Sequence, residues 1–97
     1  MEFNEISKRL SQRYYKPGRR ESLEEFREAE SALFKEFMGD LIAAFTSDVS
    51  IPRKQAKRIV RKICFTDSSN SSSKRVNYNR VFYSVKKRAE SIRESLT

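Results

Sequence analysis

The sequence predicts an all-α fold, built as one small domain of about four helices. Apolar residues recur at intervals of three and four in four separate segments. Residues that cap or break helices lie between those segments. The 97 residues include only two glycines and two prolines, which is atypical of a β protein with many turns. Residues 1–97 are expected to form a single helical domain, because the chain is too short for two.

The first helix is predicted from one amphipathic stripe, formed by Phe3, Ile6, Leu10 and Tyr14. Pro17-Gly18 is expected to end it, since the residue before a proline disfavours helix and glycine allows a turn.

The second helix is predicted to be the longest and to lie at the centre of the core. Ser22 and Glu25 have the spacing of a capping box, which favours a helix start at this point. The apolar stripe extends to Phe45, and residues 46–50 are expected to form a turn. Gly39 is a weak point inside the helix. Glu30 interrupts the apolar stripe, so we expect it to pair with an arginine or to lie at the edge of the core.

The third helix is predicted to begin at Ser50, with Pro52 in its first turn, where a missing N–H costs nothing. Its apolar face consists of Ala56, Ile59, Val60 and Ile63. Cys64, at the edge of this face, is expected to be a buried core thiol. The helix is expected to end before Thr66, where a flexible serine-rich loop, residues 66–75, follows.

The fourth helix is predicted to be long and C-terminal, from about Tyr78 to Leu96, with Asn77 as its N-cap. Helical spacing holds along its whole apolar stripe, which consists of Tyr78, Val81, Phe82, Val85, Ala89, Ile92 and Leu96.

Positive charge is concentrated in the second half of the chain. Residues 1–48 carry 8 basic and 10 acidic side chains, a net charge of −2, whereas residues 49–97 carry 13 basic and 3 acidic side chains, a net charge of +10. Six cations share the third helix's face opposite its apolar residues, with no acidic residue among them: Arg53, Lys54, Lys57, Arg58, Arg61 and Lys62. Like charges four residues apart weaken a helix. An unmixed cationic face therefore favours an anionic partner, most commonly polyphosphate, over an ordinary solvated surface.

These patterns predict a non-enzymatic nucleic-acid-binding protein, an accessory or regulatory factor, with DNA favoured over RNA. Arg53, Lys54 and Gln55 would begin a helix after a short turn, the general layout of a helix-turn-helix. Tyr15 or Tyr83 would stack on a base or sugar. The predicted binding residues are Arg53, Lys54, Gln55, Lys57, Arg58, Arg61, Lys62, Lys74, Arg75, Arg80 and Lys87.

Other partners fit the same charge pattern. A small adaptor or inhibitor would bind an acidic protein through its basic amphipathic helix. Peripheral binding to an anionic membrane is less favoured, because the third helix is short and has no tryptophan. The acidic start of the second helix complements the basic half, so a homodimer is also possible.

Several classes of function are excluded by composition. The absence of histidine excludes a Ser-His-Asp or Cys-His apparatus and a His-ligated zinc. One cysteine allows neither a disulfide within the chain nor a cysteine-based metal site. We therefore expect no enzymatic activity, no cofactor and no metal.

The expected location is intracellular and soluble, in the cytoplasm, nucleoid or nucleus. The acidic N-terminus lacks the basic and apolar regions of a signal peptide. The longest nearly uncharged run, residues 41–47, is too short to cross a membrane.

Overall fold

The computed structural model describes residues 2–16, 22–69 and 77–96. Within these ranges the chain forms four helices and no strand: α1 (Phe3–Ser11), α2 (Leu23–Val49), α3 (Arg53–Ser69) and α4 (Tyr78–Leu96). The predicted all-α class is confirmed, as are the long second helix, the basic third helix and the long C-terminal helix.

The longest helices, α2 and α4, form the centre of the fold. Each of α1 and α3 packs against both of them, and no contact between α1 and α3 occurs among the described residues. α1 and α3 therefore flank the central pair. Among the side chains that the structure describes, sixteen are buried and form one core: Ile6, Tyr15, Phe37, Leu41, Ile42, Ala44, Phe45, Val49, Ala56, Val60, Cys64, Tyr78, Val81, Phe82, Val85 and Ala89. The expected burial of Cys64 is confirmed.

α1 ends earlier than its apolar stripe predicts. The N–H of Tyr14 donates to the carbonyl of Arg9 (2.8 Å) and the N–H of Arg13 to that of Leu10 (3.1 Å), the two bonds of a Schellman motif. Arg13 has the left-handed backbone conformation that this motif requires, with φ 59°. The prediction that the helix includes Tyr14 and continues to Pro17-Gly18 is therefore wrong, since α1 ends at Ser11; Pro17-Gly18 itself lies outside the described residues.

α2 begins as predicted and ends later. The Oγ of Ser22 accepts from the N–H of Glu25, and the Glu25 carboxylate accepts from the N–H of Ser22, both at 3.2 Å, so the capping box is confirmed. The predicted turn at 46–50 is wrong for residues 46–49, which are helical. The Thr46 hydroxyl is satisfied inside the helix by the carbonyl of Ile42 (2.7 Å), and Val49 is buried in the core.

The connection between α2 and α3 is short. Ser50 is left-handed, with φ 58°, and its N–H donates to the Thr46 carbonyl at 3.0 Å. The carbonyl of Pro52 accepts from the N–H groups of Gln55 and Ala56, both at 3.0 Å, so α3 begins at Arg53 and not at Ser50 as predicted.

The predicted end of α3 before Thr66 is wrong, whereas the predicted start of α4 is confirmed. The backbone of residues 66–69 is helical where the serine-rich loop is expected to begin, and residues 70–75 of that loop lie outside the described residues. The start of α4 is as predicted, because the side-chain oxygen of Asn77 accepts from the N–H of Arg80 at 3.1 Å.

Candidate nucleic-acid interface

The orientation of α3 is set by its contact with the core. Ala56, Val60 and Cys64 are fully buried, and Ile59 and Ile63 are half-buried beside them. These residues share one side of the helix, so the opposite side faces solvent. Since α1 does not reach α3, the described helices leave this side uncovered.

All six cations on the solvent side are exposed, as the sequence pattern predicts. We call these residues the cationic face of α3: Arg53, Lys54, Lys57, Arg58, Arg61 and Lys62. None of them forms an ion pair with an acidic residue in the described part of the chain. Within the described residues, the repulsion between them is therefore relieved by solvent and counterions.

Four of these cations converge on one place. Lys54, Lys57, Arg58 and Arg61 line a shallow, open depression of about 430 Å³. The helix repeat explains the convergence, because residues three and four apart lie side by side on a helix surface. An open, purely cationic depression suits a flexible or extended anion better than a small molecule, which would need an enclosed site.

The structure adds Phe65 to this surface. Its side chain is 55% exposed, and the guanidinium carbon of Arg61 lies 5.8 Å from the centre of its ring. Sequence reasoning missed this residue. The signal was its spacing, since Phe65 lies four residues after Arg61 and eleven after Lys54, on the cationic side of the helix.

The predicted binding residues of α4 are exposed as well. Arg80 and Lys87 are both exposed and flank Tyr83, which is 63% exposed and touches Phe82 with ring centres 5.8 Å apart. Arg93 belongs to a different environment, because it pairs with Asp48 at 3.0 Å. Lys74 and Arg75, the other two predicted binding residues of this half of the chain, lie outside the described residues.

The stacking role predicted for Tyr15 is wrong. Tyr15 is 1% exposed, and its hydroxyl donates to the carboxylate of Asp40 at 2.6 Å, which Arg9 also contacts at 3.0 Å. Burial, with the hydrogen bond to Asp40, raises the pKa of Tyr15 well above its ordinary value. The Schellman motif turns this ring into the core and leaves only Tyr14 at the surface.

Tyr14 is held against the surface of α1 and α2. Its hydroxyl donates to Glu36 at 2.7 Å, a bond that raises the pKa of Tyr14. The guanidinium of Arg9 lies 4.7 Å from the centre of its ring. Tyr14, Tyr15 and Arg9 thus attach the residues after α1 to α2, which is a structural role.

Glu30 is half-buried and forms no ion pair within the described ranges. Of the two expectations for it, a position at the edge of the core agrees with its partial exposure. Burial, with a contribution from the charge of Glu30, raises the pKa of Tyr78 to about 12.

A second depression, of about 380 Å³, lies between the start of α1, the end of α2 and α4. Its lining mixes acidic and basic side chains, among them the paired Asp48 and Arg93. A surface of mixed sign has no strong preference for an anion, so the cationic face of α3 remains the candidate site.

The fold and this face define a class of protein: a small all-α domain in which one helix presents six cations to solvent on the side opposite the core. No helix in the described ranges combines the length and apolar character needed to cross a bilayer. No family of known proteins, no characterised protein and no solved structure matches the chain.

Proposed function

We propose that this chain is a non-enzymatic nucleic-acid-binding protein, with an accessory or regulatory role, and that the cationic face of α3 holds the phosphate backbone. One observation carries the proposal. Lys54, Lys57, Arg58 and Arg61 converge on an open depression that no described acidic side chain neutralises.

The placement of these cations costs the helix stability. Cations near the N-terminus of a helix oppose its dipole, and the first turn of α3 contains no acidic residue to offset Arg53 and Lys54. Lys54 and Arg58, four residues apart, also repel each other. An arrangement that weakens its own helix is better explained by binding than by solubility, for which charges of mixed sign suffice.

Phosphate contacts predict a definite salt dependence. Each contacted phosphate releases condensed counterions, so four contacts on duplex DNA give a slope of log Kobs against log salt of about −3.6. Arginine adds two-pronged hydrogen bonding to phosphate oxygens, which makes Arg58 and Arg61 the strongest contributors.

The test compares two double variants with the same change in net charge. Arg58→Glu/Arg61→Glu reverses charge inside the depression, whereas Lys8→Glu/Arg27→Glu reverses it at exposed positions on α1 and α2. We expect the first variant to bind a labelled oligonucleotide at least about tenfold more weakly, with a salt slope smaller by about 2. Fluorescence anisotropy over a salt series measures both quantities.

The control variant is expected to bind nearly as well as wild type. Equal losses in the two variants would mean that net charge, and not this face, attracts the ligand. Failure of the wild type to bind DNA or RNA at low salt would contradict the proposal itself. Circular dichroism and urea unfolding establish that both variants are folded.

A further inference from the structure

We infer that the cationic face of α3 takes single-stranded nucleic acid in preference to duplex, with Phe65 as the platform on which one base stacks. The inference rests on the proposed function and specifies its ligand. Phe65 is 55% exposed at the end of a row of cations, where it has no core to fill.

The row has the dimensions and chemistry of a short strand. Lys54, Arg58, Arg61 and Phe65 follow one side of α3 at spacings of four, three and four residues. With a rise of 1.5 Å per residue, Lys54 and Phe65 are about 16 Å apart along the helix axis. Phosphates bound along the cations would bring a neighbouring base to the aromatic ring.

A phenyl ring has no hydrogen-bonding group, so it offers a base only its apolar face. In a duplex the faces of the bases are covered by their neighbours, and a protein meets base edges and phosphates instead. To stack on the ring, a base of a duplex would have to separate from its neighbour, which kinks the DNA. In a single strand the base faces are free, and base–aromatic stacking is the usual sequence-tolerant contact.

Arg61 lies beside the ring, where it can bind the phosphate of a stacked nucleotide. Its guanidinium lies 5.8 Å from the centre of the Phe65 ring, within the range of a cation–π interaction. A guanidinium beside the ring is well placed to bind the phosphate of the nucleotide whose base stacks there.

The same combination recurs on α4. Tyr83 is 63% exposed and lies between the exposed Arg80, three residues before it, and Lys87, four residues after it. Side chains at these spacings are neighbours on a helix surface. The two largest aromatic exposures in the described chain therefore both occur beside cations on the basic half.

The experiment measures binding of an oligo(dT) strand, which does not pair with itself, and of an oligo(dA)·oligo(dT) duplex. We expect wild type to prefer the strand. Phe65→Ala should bind the strand about 5- to 150-fold more weakly, with an unchanged salt slope because no charge is removed, and should bind the duplex nearly as well as before. Phe65→Tyr should retain the strand affinity, and Phe65→Leu, which keeps apolar bulk without an aromatic face, should lose it.

A second readout detects stacking directly. The chain has no tryptophan, so Phe65→Trp introduces a single indole fluorophore at the site. We expect oligo(dT) to quench its fluorescence and inorganic polyphosphate, an anion without bases, to leave it unquenched. Equal quenching by the two ligands would overturn the stacking role.

The failures of the two proposals are distinguishable. If Phe65→Ala or Phe65→Leu binds the strand as wild type does while Arg58→Glu/Arg61→Glu does not, the stacking inference is overturned and the proposed function stands. A wild-type preference for the duplex also overturns the inference alone. Absence of binding to strand and duplex at low salt overturns the proposed function and this inference with it.

Discussion

Two tyrosines in the core share the same packing and differ in what their hydroxyls touch. The rings of Tyr15 and Tyr78 stack with centres 5.9 Å apart, and both contact Phe37 edge-on, at 4.8 and 5.0 Å. The Tyr15 hydroxyl donates to Asp40 at 2.6 Å. The Tyr78 hydroxyl is buried and has no hydrogen-bond partner among the described residues. A buried polar group without a partner keeps its full desolvation cost.

The same substitution at these two positions should therefore have opposite effects. Tyr15→Phe removes a hydrogen bond to a charged group and should lower the free energy of unfolding by about 1.5–3 kcal/mol. Tyr78→Phe removes the unsatisfied hydroxyl and should raise it by about 1 kcal/mol. Urea unfolding followed by circular dichroism at pH 7 measures both. A loss of stability in Tyr78→Phe as large as that in Tyr15→Phe would contradict the assignment.

The pH dependence of the same variants gives an independent check. Burial, with the charge of Glu30, raises the pKa of Tyr78 from 10.0 to about 12, so the folded state favours the neutral phenol. In the unfolded chain, where the pKa has its ordinary value of 10.0, half of the molecules have lost this proton at pH 10. The contribution of this raised pKa to the free energy of unfolding is fully present below pH 10 and is lost as pH rises from 10 to 12. Tyr78→Phe should lose less stability than wild type over this interval in the same urea experiment.

Residue-scale features were the hardest to predict from sequence. Tyr14 and Tyr15 are adjacent and chemically identical, yet one is 45% exposed and the other 1%. Phe65 is apolar but 55% exposed, and only its spacing from Arg61 and Lys54 indicates the solvent side of the helix. The difference between Tyr14 and Tyr15 depends on which surfaces meet each ring, and local spacing does not contain that information.

At the scale of the elements, helix starts were predicted better than helix ends. Ser22 with Glu25 and Asn77 are caps with recognisable side chains, and both starts are confirmed. The ends of α1 and α2 depend on Arg13 and Ser50 in the left-handed conformation. Sequence signals for that conformation are glycine and asparagine, so neither end carried one.

Gly39 lies inside α2 without interrupting it. A β-carbon added there would meet nothing within 4 Å. Gly39→Ala should therefore raise the free energy of unfolding by about 0.5–1 kcal/mol, because alanine has the higher helix propensity and loses less backbone entropy on folding. Ala43→Gly, one turn later, is the reverse control and should lower it. Thermal and urea unfolding measure both, and destabilisation by Gly39→Ala would reveal a close contact at this position.

At the scale of the whole molecule, the packing of the helices leaves the cationic face of α3 exposed to solvent. α3 packs against α2 and α4 through its apolar side, and α1 packs against the same pair without contacting α3 within the described residues. The cationic face is consequently left open, and most of the +10 charge of residues 49–97 lies on α3 and α4. Repulsion among these cations opposes folding, and their attraction to an anion favours binding. Salt screens both interactions, so it acts on stability and on binding in opposite directions.

Raising the salt concentration should stabilise the protein while weakening its binding to nucleic acid. The screening length falls from about 30 Å at 0.01 M to about 8 Å at 0.15 M, which weakens repulsion across the cationic face. The urea midpoint of wild type should rise over this range, and that of Arg58→Glu/Arg61→Glu should rise less. A midpoint that falls with salt in wild type would show that attractive pairs such as Arg93 with Asp48 dominate.

The sequence by itself determined the all-α class, the order of the helices, the caps of α2 and α4 and the cationic face of α3. Each of these depends on local chemistry, that is on side-chain spacing along one helix or on a cap three residues from its partner. Only the tertiary structure decided that Tyr15 is buried, that the Arg61 guanidinium lies 5.8 Å from the centre of the Phe65 ring, and that α1 leaves the cationic face uncovered. These features depend on which helix surfaces pack against each other. That packing is determined by residues far apart in the sequence, because they are buried in one shared core.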